Sequence, residues 1–111
     1  MTKKAQLEPL RSLAFGSISG TYAAVGDPFD YPSRIICFTN LTEGDMLFSR
    51  DGVTDELVVS AGGFKLFDIQ TNHKPVNEDA FVFPVGTQWY VKQLTAPVSG
   101  SVYIETVYAA S

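Results

Sequence analysis

The sequence is poorest in the residues that do chemistry. Its 111 residues include one cysteine, one histidine and one tryptophan. A lone Cys37 excludes an internal disulfide framework and fits assembly in a reducing cytoplasm. It sits in RIICFTN, the most apolar run of the chain, where a free thiol behaves as a small hydrophobe. His73 stands in the polar run QTNHKPVNED ahead of Pro75, with no nucleophile and acid spaced around it as catalysis requires. No G-x-S-x-G, H-E-x-x-H or paired-cysteine motif occurs. Gly62-Gly63 precedes a predicted strand rather than a helix, so it cannot build a phosphate cradle. The sequence therefore predicts neither an enzyme nor a cofactor.

Long apolar runs are missing too. None approaches the ~20 residues of a membrane helix, and no membrane association is predicted. The opening MTKKAQLEPLRSL lacks the apolar stretch of a signal peptide, so export by that route is not expected. Charged residues make up only 18% of the chain, and hydrophobic ones 45%, the balance of a globular domain rather than a disordered one. The net charge of −4 is unevenly placed. Lys3, Lys4 and Arg11 outweigh Glu8 at the start, whereas the remaining residues are strongly acidic. Basic residues in that remainder stand singly, with no stripe to follow a phosphate backbone, which excludes nucleic acid as the expected partner.

What is present is a series of short runs rich in β-branched and aromatic residues, punctuated by proline and glycine. LAFGSI, RIICFTN, DMLFS, ELVVSA, GFKLFDI, AFVFP, QWYVKQL and SVYIETVY read as strands, with TYAAV a further candidate. No window carries a helical period through three turns. The predicted fold is all-β: an antiparallel two-sheet sandwich, jelly-roll-like, of about eight strands, with residues 1–12 an extended N-terminal arm and 13–111 the sandwich domain. Alternation orients the strands. In SVYIETVY, Val102, Ile104, Thr106 and Tyr108 are core-facing, and Tyr103 and Glu105 face solvent or a partner. In QWYVKQL, Trp89 and Val91 point inward. In GFKLFDI, Phe67 falls with Lys65 on the more polar side, opposite Phe64 and Leu66. RIICFTN is apolar on both faces, the pattern of a central strand covered on both sides.

The stretch NLTEGDMLFSRDG concentrates acids and amides around two glycines. A calcium loop of the EF-hand type fails, because counting from Asp45 places Leu47 at a ligand position, and counting from Asp51 finds no glutamate at the twelfth. A weaker site formed by Asp51, Asp55 and Glu56 is left open. Asn40-Leu41-Thr42 matches a glycosylation sequon that the absence of a secretory signal makes accidental. The plain reading is loop, strand, loop, with the acids bonding their own turns. Trp89, Tyr90 and Tyr103 raise the alternative of a sugar-stacking platform, which requires the rings to share one face.

Read together, RIICFTNLTEGDMLFSRDG, AGGFKLFDIQTN and FVFPVGTQWYVKQLTAPVSGSVYIETVYA resemble the capsid decoration proteins, also called cement or staple proteins, of short-tailed bacteriophages of the epsilon-fifteen group. The resemblance spans residues 11 to 109, and its motifs are structural: the turn at Asp51-Gly52 and the strand entry from Gly86 to Tyr90. It implies a structural virion protein on the outer capsid surface. Such a protein binds the major capsid protein and bridges neighbouring coat subunits against the pressure of packaged DNA. A tail or head–tail connector component is the alternative, and a carbohydrate-binding module the second. On this reading Lys3, Lys4, Leu7, Leu10 and Arg11 form an arm that orders along a coat subunit. Open sheet edges point to a homo-oligomer, dimer or trimer, with Phe67, Tyr103 and Tyr108 as candidate contacts.

Overall fold

The computed structural model describes residues 4–68 and 83–110. Lys3 and His73 lie outside the described residues. Among the described residues nine strands form: β1 (Lys4–Leu7), β2 (Arg11–Ala14), β3 (Ala23–Ala24), β4 (Ile35–Asn40), β5 (Met46–Ser49), β6 (Leu57–Val59), β7 (Phe64–Asp68), β8 (Tyr90–Gln93) and β9 (Ser101–Ala110). LAFGSI gives only part of a strand, since the chain leaves the sheet after Ala14 and Phe15–Ser17 winds into a 3-10 turn.

All pairings are antiparallel. The first sheet runs β1-β9-β4-β7, with β2 joining β1 along the same edge of β9, and the second runs β3-β8-β5-β6. From β2 onward the chain crosses between sheets at every step except β5 to β6, a jelly-roll order in which sequence neighbours pack face to face. The predicted sandwich is thus the observed fold.

The core fills the gap between the sheets. Ile36, Phe38, Val102 and Ile104 face Met46, Phe48, Val59 and Val91, and Val25, Phe29, Ile18 and Trp89 close the ends. Phe38 is the hub, its ring 5.2 Å from Phe48, 4.7 Å from Trp89 and 5.8 Å from Phe67. Val102, Ile104 and Thr106 point inward as their alternation predicts, and Trp89 and Val91 do the same. Tyr108 follows the same phase but is only half-buried, stacked on Tyr31 at 3.9 Å.

Two expectations are corrected. Phe67 stands opposite Ile36 and joins the core side, while Phe64 and Leu66 stand opposite Thr39 and Cys37 and face outward. The register imposed by β4 decides this. Lys65 is tolerated on the inward side because β7 is an edge strand and the lysine remains exposed there. β4 is central, as predicted, but covered on one side only. Ile36, Phe38 and Asn40 are buried, while Ile35, Cys37 and Thr39 are half-exposed.

The N-terminal residues are extended but not free. β1 and β2 zip along β9, so a boundary after residue 12 cuts through β2. Between them Glu8, Pro9 and Leu10 stand opposite only Glu105 and Thr106, a β-bulge. Proline suits the site because an edge bulge needs no donor there. The extra residue has a decisive effect on side-chain direction. In a regular strand residues three apart point to opposite faces; across the bulge Glu8 and Arg11 both turn inward. Arg11 Nη2 donates to Glu8 Oε1 at 2.7 Å and to the Pro28 carbonyl at 3.1 Å, and its Nε donates to the Asp27 carbonyl at 2.7 Å. Glu8 also accepts from the amides of Asp30 and Tyr31 at 3.3 and 3.2 Å. Gly26, at φ 66°, leaves room, since a Cβ there would stand 2.7 Å from Arg11 Cγ. Arg11 is therefore a buried fastener between the edge and the 26–31 loop, not an outward contact.

Truncating the hub, Phe38→Ala, is expected to cost about 3–5 kcal/mol in urea unfolding. Glu8→Ala leaves the Arg11 guanidinium buried without its counter-charge and is expected to cost a further-from-surface penalty of roughly 3–5 kcal/mol in the same measurement. A loss below about 1 kcal/mol for Glu8→Ala would show that the bulge is held by other means.

Candidate interaction surface

The two sheets differ in what covers their outer faces. On the second sheet, Lys92 donates to Asp55 at 3.1 Å and lies 4.8 Å over the Tyr22 ring, and the Tyr22 hydroxyl bonds Asp55 at 2.5 Å. This cluster, with Gly52 packed against the Tyr90 ring, clothes the β8 side of that face in polar groups from the chain's own loops, while Leu47 and the exposed Val58 lie beyond it.

Among the described residues the first sheet has no such cover. Its register arranges the outward side chains in rows across the strands. Phe64, Thr39, Tyr103 and Ser12 form the first row, Leu66, Cys37 and Glu105 the second, and Asp68, Ile35, Val107 and Leu7 the third. Phe64 and Leu7 are 68% exposed and Leu66 60%. Isolated exposed apolar residues are ordinary; three on one flat face, interleaved with Ile35, Cys37, Tyr103 and Val107, make a patch of the kind that marks protein contact. Carboxylates are the only charges at these strand positions.

A second apolar surface lies at the end of the sandwich where loops 41–45 and 94–100 meet. Leu41, Leu94 and Val98 are exposed there, and Phe15 is tied to the same end by its backbone N–H, which donates to the Gly100 carbonyl at 3.0 Å. These loops are fastened. Asn40 is buried, donates to the carbonyls of Gly44 and Val59 at 2.8 and 3.0 Å, and accepts from Thr42. Its amide is therefore closed to glycosylation. Glu43 accepts from the amides of Val98 and Ser99 at 3.1 and 2.9 Å and from the Ser99 hydroxyl. A Cβ on Gly44 would stand 2.0 Å from the Thr95 carbonyl oxygen, so the two loops touch backbone to backbone.

The acids of NLTEGDMLFSRDG are turn and loop fasteners. Asp51 accepts from the Ser49 hydroxyl and the amides of Val53 and Thr54, which holds its carboxyl well below the usual range. Asp55 serves Tyr22 and Lys92, and Glu56 pairs with Arg50 at 2.6 Å. Asp51, Asp55 and Glu56 thus turn to three separate partners, and no cluster able to hold a metal occurs among the described residues. The sugar platform is not assembled either: Trp89 is 3% exposed in the core, Tyr90 lies on the second sheet, and Tyr103 lies on the bare face of the first.

The other sequence-predicted contacts scatter. Leu7 joins the bare face, Leu10 projects from the bulge, and Lys4 lies on β1 with its side chain in phase with the opposite side. Tyr103 is on the bare face, Phe67 leans on Phe38, and Tyr108 is stacked on Tyr31. Phe64, Leu66, Ile35 and Cys37 were the residues missed. The signal for Ile35 and Cys37 is the two-sided apolarity of RIICFTN, and for Phe64 and Leu66 the large apolar groups in both phases of GFKLFDI. A cavity of about 300 Å³ opens between the sheets beside Phe38, Phe67, Phe83 and Trp89. Its charged groups, Arg50 and Glu56, are spent on each other.

No family model and no curated protein matches the sequence. Among solved structures the chain is similar to the SPP1 Dit (gp 19.1) protein, described as a paradigm of the hub adsorption apparatus in phages infecting Gram-positive bacteria. The identity is 14% and the TM-score 0.42, over 96% of this chain and 49% of that one. The chain thus spans about half of that protein, and a score of this size transfers no role to it.

The loop fastening gives a pH dependence. The Ser99 hydroxyl and then the Val98 amide pull the Glu43 carboxyl from 4.5 down to about 2. Because the folded value is the lower one, this contribution is complete above 4.5 and is lost as pH falls toward 2. Urea midpoints of the wild type should exceed those of Glu43→Gln at neutral pH and converge with them in that acidic window. A constant difference throughout would assign the stabilisation elsewhere.

Proposed function

We propose that this chain is a structural virion protein of a tailed bacteriophage, a decoration protein that binds the outer surface of the capsid and bridges neighbouring coat subunits. The observation that carries the reading is the bare apolar face of the first sheet, set against the clothed face of the second. A bridge needs two contact surfaces on one stiff body. The sheet face supplies one, and the fastened loop end with Leu41, Leu94 and Val98 supplies the other. Neither requires chemistry, only complementary surfaces. Loops already held in place lose little further freedom on binding, which favours adhesion.

The mechanical role follows from geometry. Pressure inside a filled shell separates coat subunits along their seams. A body attached on both sides of a seam resists opening by the free energy of its weaker contact. Repetition around the shell sums many modest contributions into a large one. The partner on this reading is the major capsid protein of the same phage. The chain is made and assembled in the host cytoplasm. Lys4 and Leu10, at the edge of the sheet, are available to extend the contact.

A tail or head–tail connector role is the alternative within the same class, and copy number separates the two. Quantitative mass spectrometry of purified particles is expected to give on the order of hundreds of copies; a count of about a dozen would assign the chain to the tail or connector. In rebinding to stripped particles, Leu66→Lys is expected to weaken attachment by about tenfold or more, roughly 1.4 kcal/mol, with unfolding unchanged. Undiminished binding would remove the sheet face from the contact.

A further inference from the structure

Glu105 is misplaced for a purely apolar contact. β9 is flanked by β4 on one side and by β1 and β2 on the other, so Glu105 stands on an interior strand of the bare face. Cys37 and Leu66 share its row, and Tyr103 and Val107 flank it along the strand. The carboxylate is exposed, and among the described residues no hydrogen bond or ion pair holds it. In the free protein water solvates it. A partner that covered the face with apolar side chains alone would strip that water and leave a charge unpaired, a strongly unfavourable outcome.

A second copy of this chain fares no better. The charged strand positions on the face are Glu105 and Asp68, both acidic. Arg11 and Lys65 register opposite Ile104 and Phe38, on the inward side. Stacking the face on itself would bury Glu105 of both copies, with no cation at the described strand positions of the face to meet either. Phosphate-rich surfaces are disfavoured by the same sign.

We infer that the bare face recognises a different protein surface, apolar and carrying a lysine or arginine that meets Glu105, and that this one pair sets the register of docking and bars self-pairing. The inference rests on the proposed role of the face as adhesive and adds the partner's chemistry. A single charge within an apolar field is well suited to this work. Apolar contact is tolerant of sliding, whereas a desolvated ion pair is satisfied in one position only, so affinity and register come from different groups on one face.

The test uses purified full-length protein rebound to particles stripped of it, with wild type, Glu105→Gln, Glu105→Lys and Leu66→Lys compared at several salt concentrations. Glu105→Gln is expected to bind about tenfold more weakly and with a shallower salt dependence, and Glu105→Lys about a hundredfold more weakly. Both sit at an exposed position and should unfold at the wild-type urea midpoint. Binding of Glu105→Gln equal to or tighter than wild type, while Leu66→Lys still detaches, would overturn the cation and leave the adhesive face standing. Rebinding by Leu66→Lys at wild-type strength, or none by the wild type, would instead bring down the underlying reading. Cys37 gives an independent check, since it adjoins Glu105 on the face. A short bis-maleimide should not join two Cys37 thiols in free protein; efficient joining at micromolar concentration would show that copies stack on this face and overturn the inference.

Discussion

The pairing of β4 with β9 is the constraint on which the rest of the molecule depends. It is the longest ladder among the described residues, running from Ile35 opposite Val107 to Asn40 opposite Val102. Both strands are interior, so each fixes a neighbour as well: β7 takes its phase from β4, and β1 and β2 take theirs from β9. Side chains alternate with a period of two, so a slip of one residue would exchange the two faces entirely. Phe38 and Ile104 would then meet water, and Tyr103, Glu105 and Cys37 would meet the opposing sheet. The burial of Phe38 against Phe48 and Trp89 makes that exchange prohibitive. One register therefore sets the core and the bare face together, and neither can be altered alone.

The N-terminal edge shows how a local irregularity serves the same constraint. A regular strand from Lys4 to Ala14 would send Glu8 and Arg11 to opposite faces, one of them a charge in the apolar patch. The extra residue at the bulge turns both inward, where they bind each other and the 26–31 loop. The outer face is thus spared an arginine, which keeps it uniformly acidic in charge. An arm peeled from this edge would expose a buried ion pair and leave β9 unpaired, so residues 4–14 behave as part of the sheet.

Much of this was legible in the sequence. SVYIETVY and QWYVKQL alternate cleanly, and the inward phases of Val102, Ile104, Thr106, Trp89 and Val91 follow from the pattern alone. The acids of NLTEGDMLFSRDG are readable as turn residues because Gly44 and Gly52 mark the turns among them. The misreadings share a physical cause. GFKLFDI carries large apolar groups in both phases, so its period is silent about which side is inward; the phase came from β4, a distant partner. RIICFTN raised the same ambiguity in stronger form. A run apolar on both sides states that both sides avoid water but not which molecule covers them. Sequence spacing cannot reveal a bulge, so it places Arg11 outward.

That ambiguity in RIICFTN leads to the functional point. A strand covered twice by its own chain and a strand covered once by its own chain and once by a partner have the same composition. The fold separates them: the second sheet spends Tyr22, Asp55 and Lys92 on covering part of its outer face, whereas among the described residues nothing covers Phe64 and Leu66 on the first, and Ile35 and Cys37 stay half-exposed. An apolar sheet face left bare invites indiscriminate stacking, and the structure limits it in two ways. Glu105 places a charge where two copies would meet, and Lys65 marks the open edge strand where a foreign strand would add. Both measures discourage the chain from binding itself while leaving a surface of matching shape and opposite charge free to dock. On the proposed reading, the residues that oppose self-pairing of the bare face are then the same ones that select its partner.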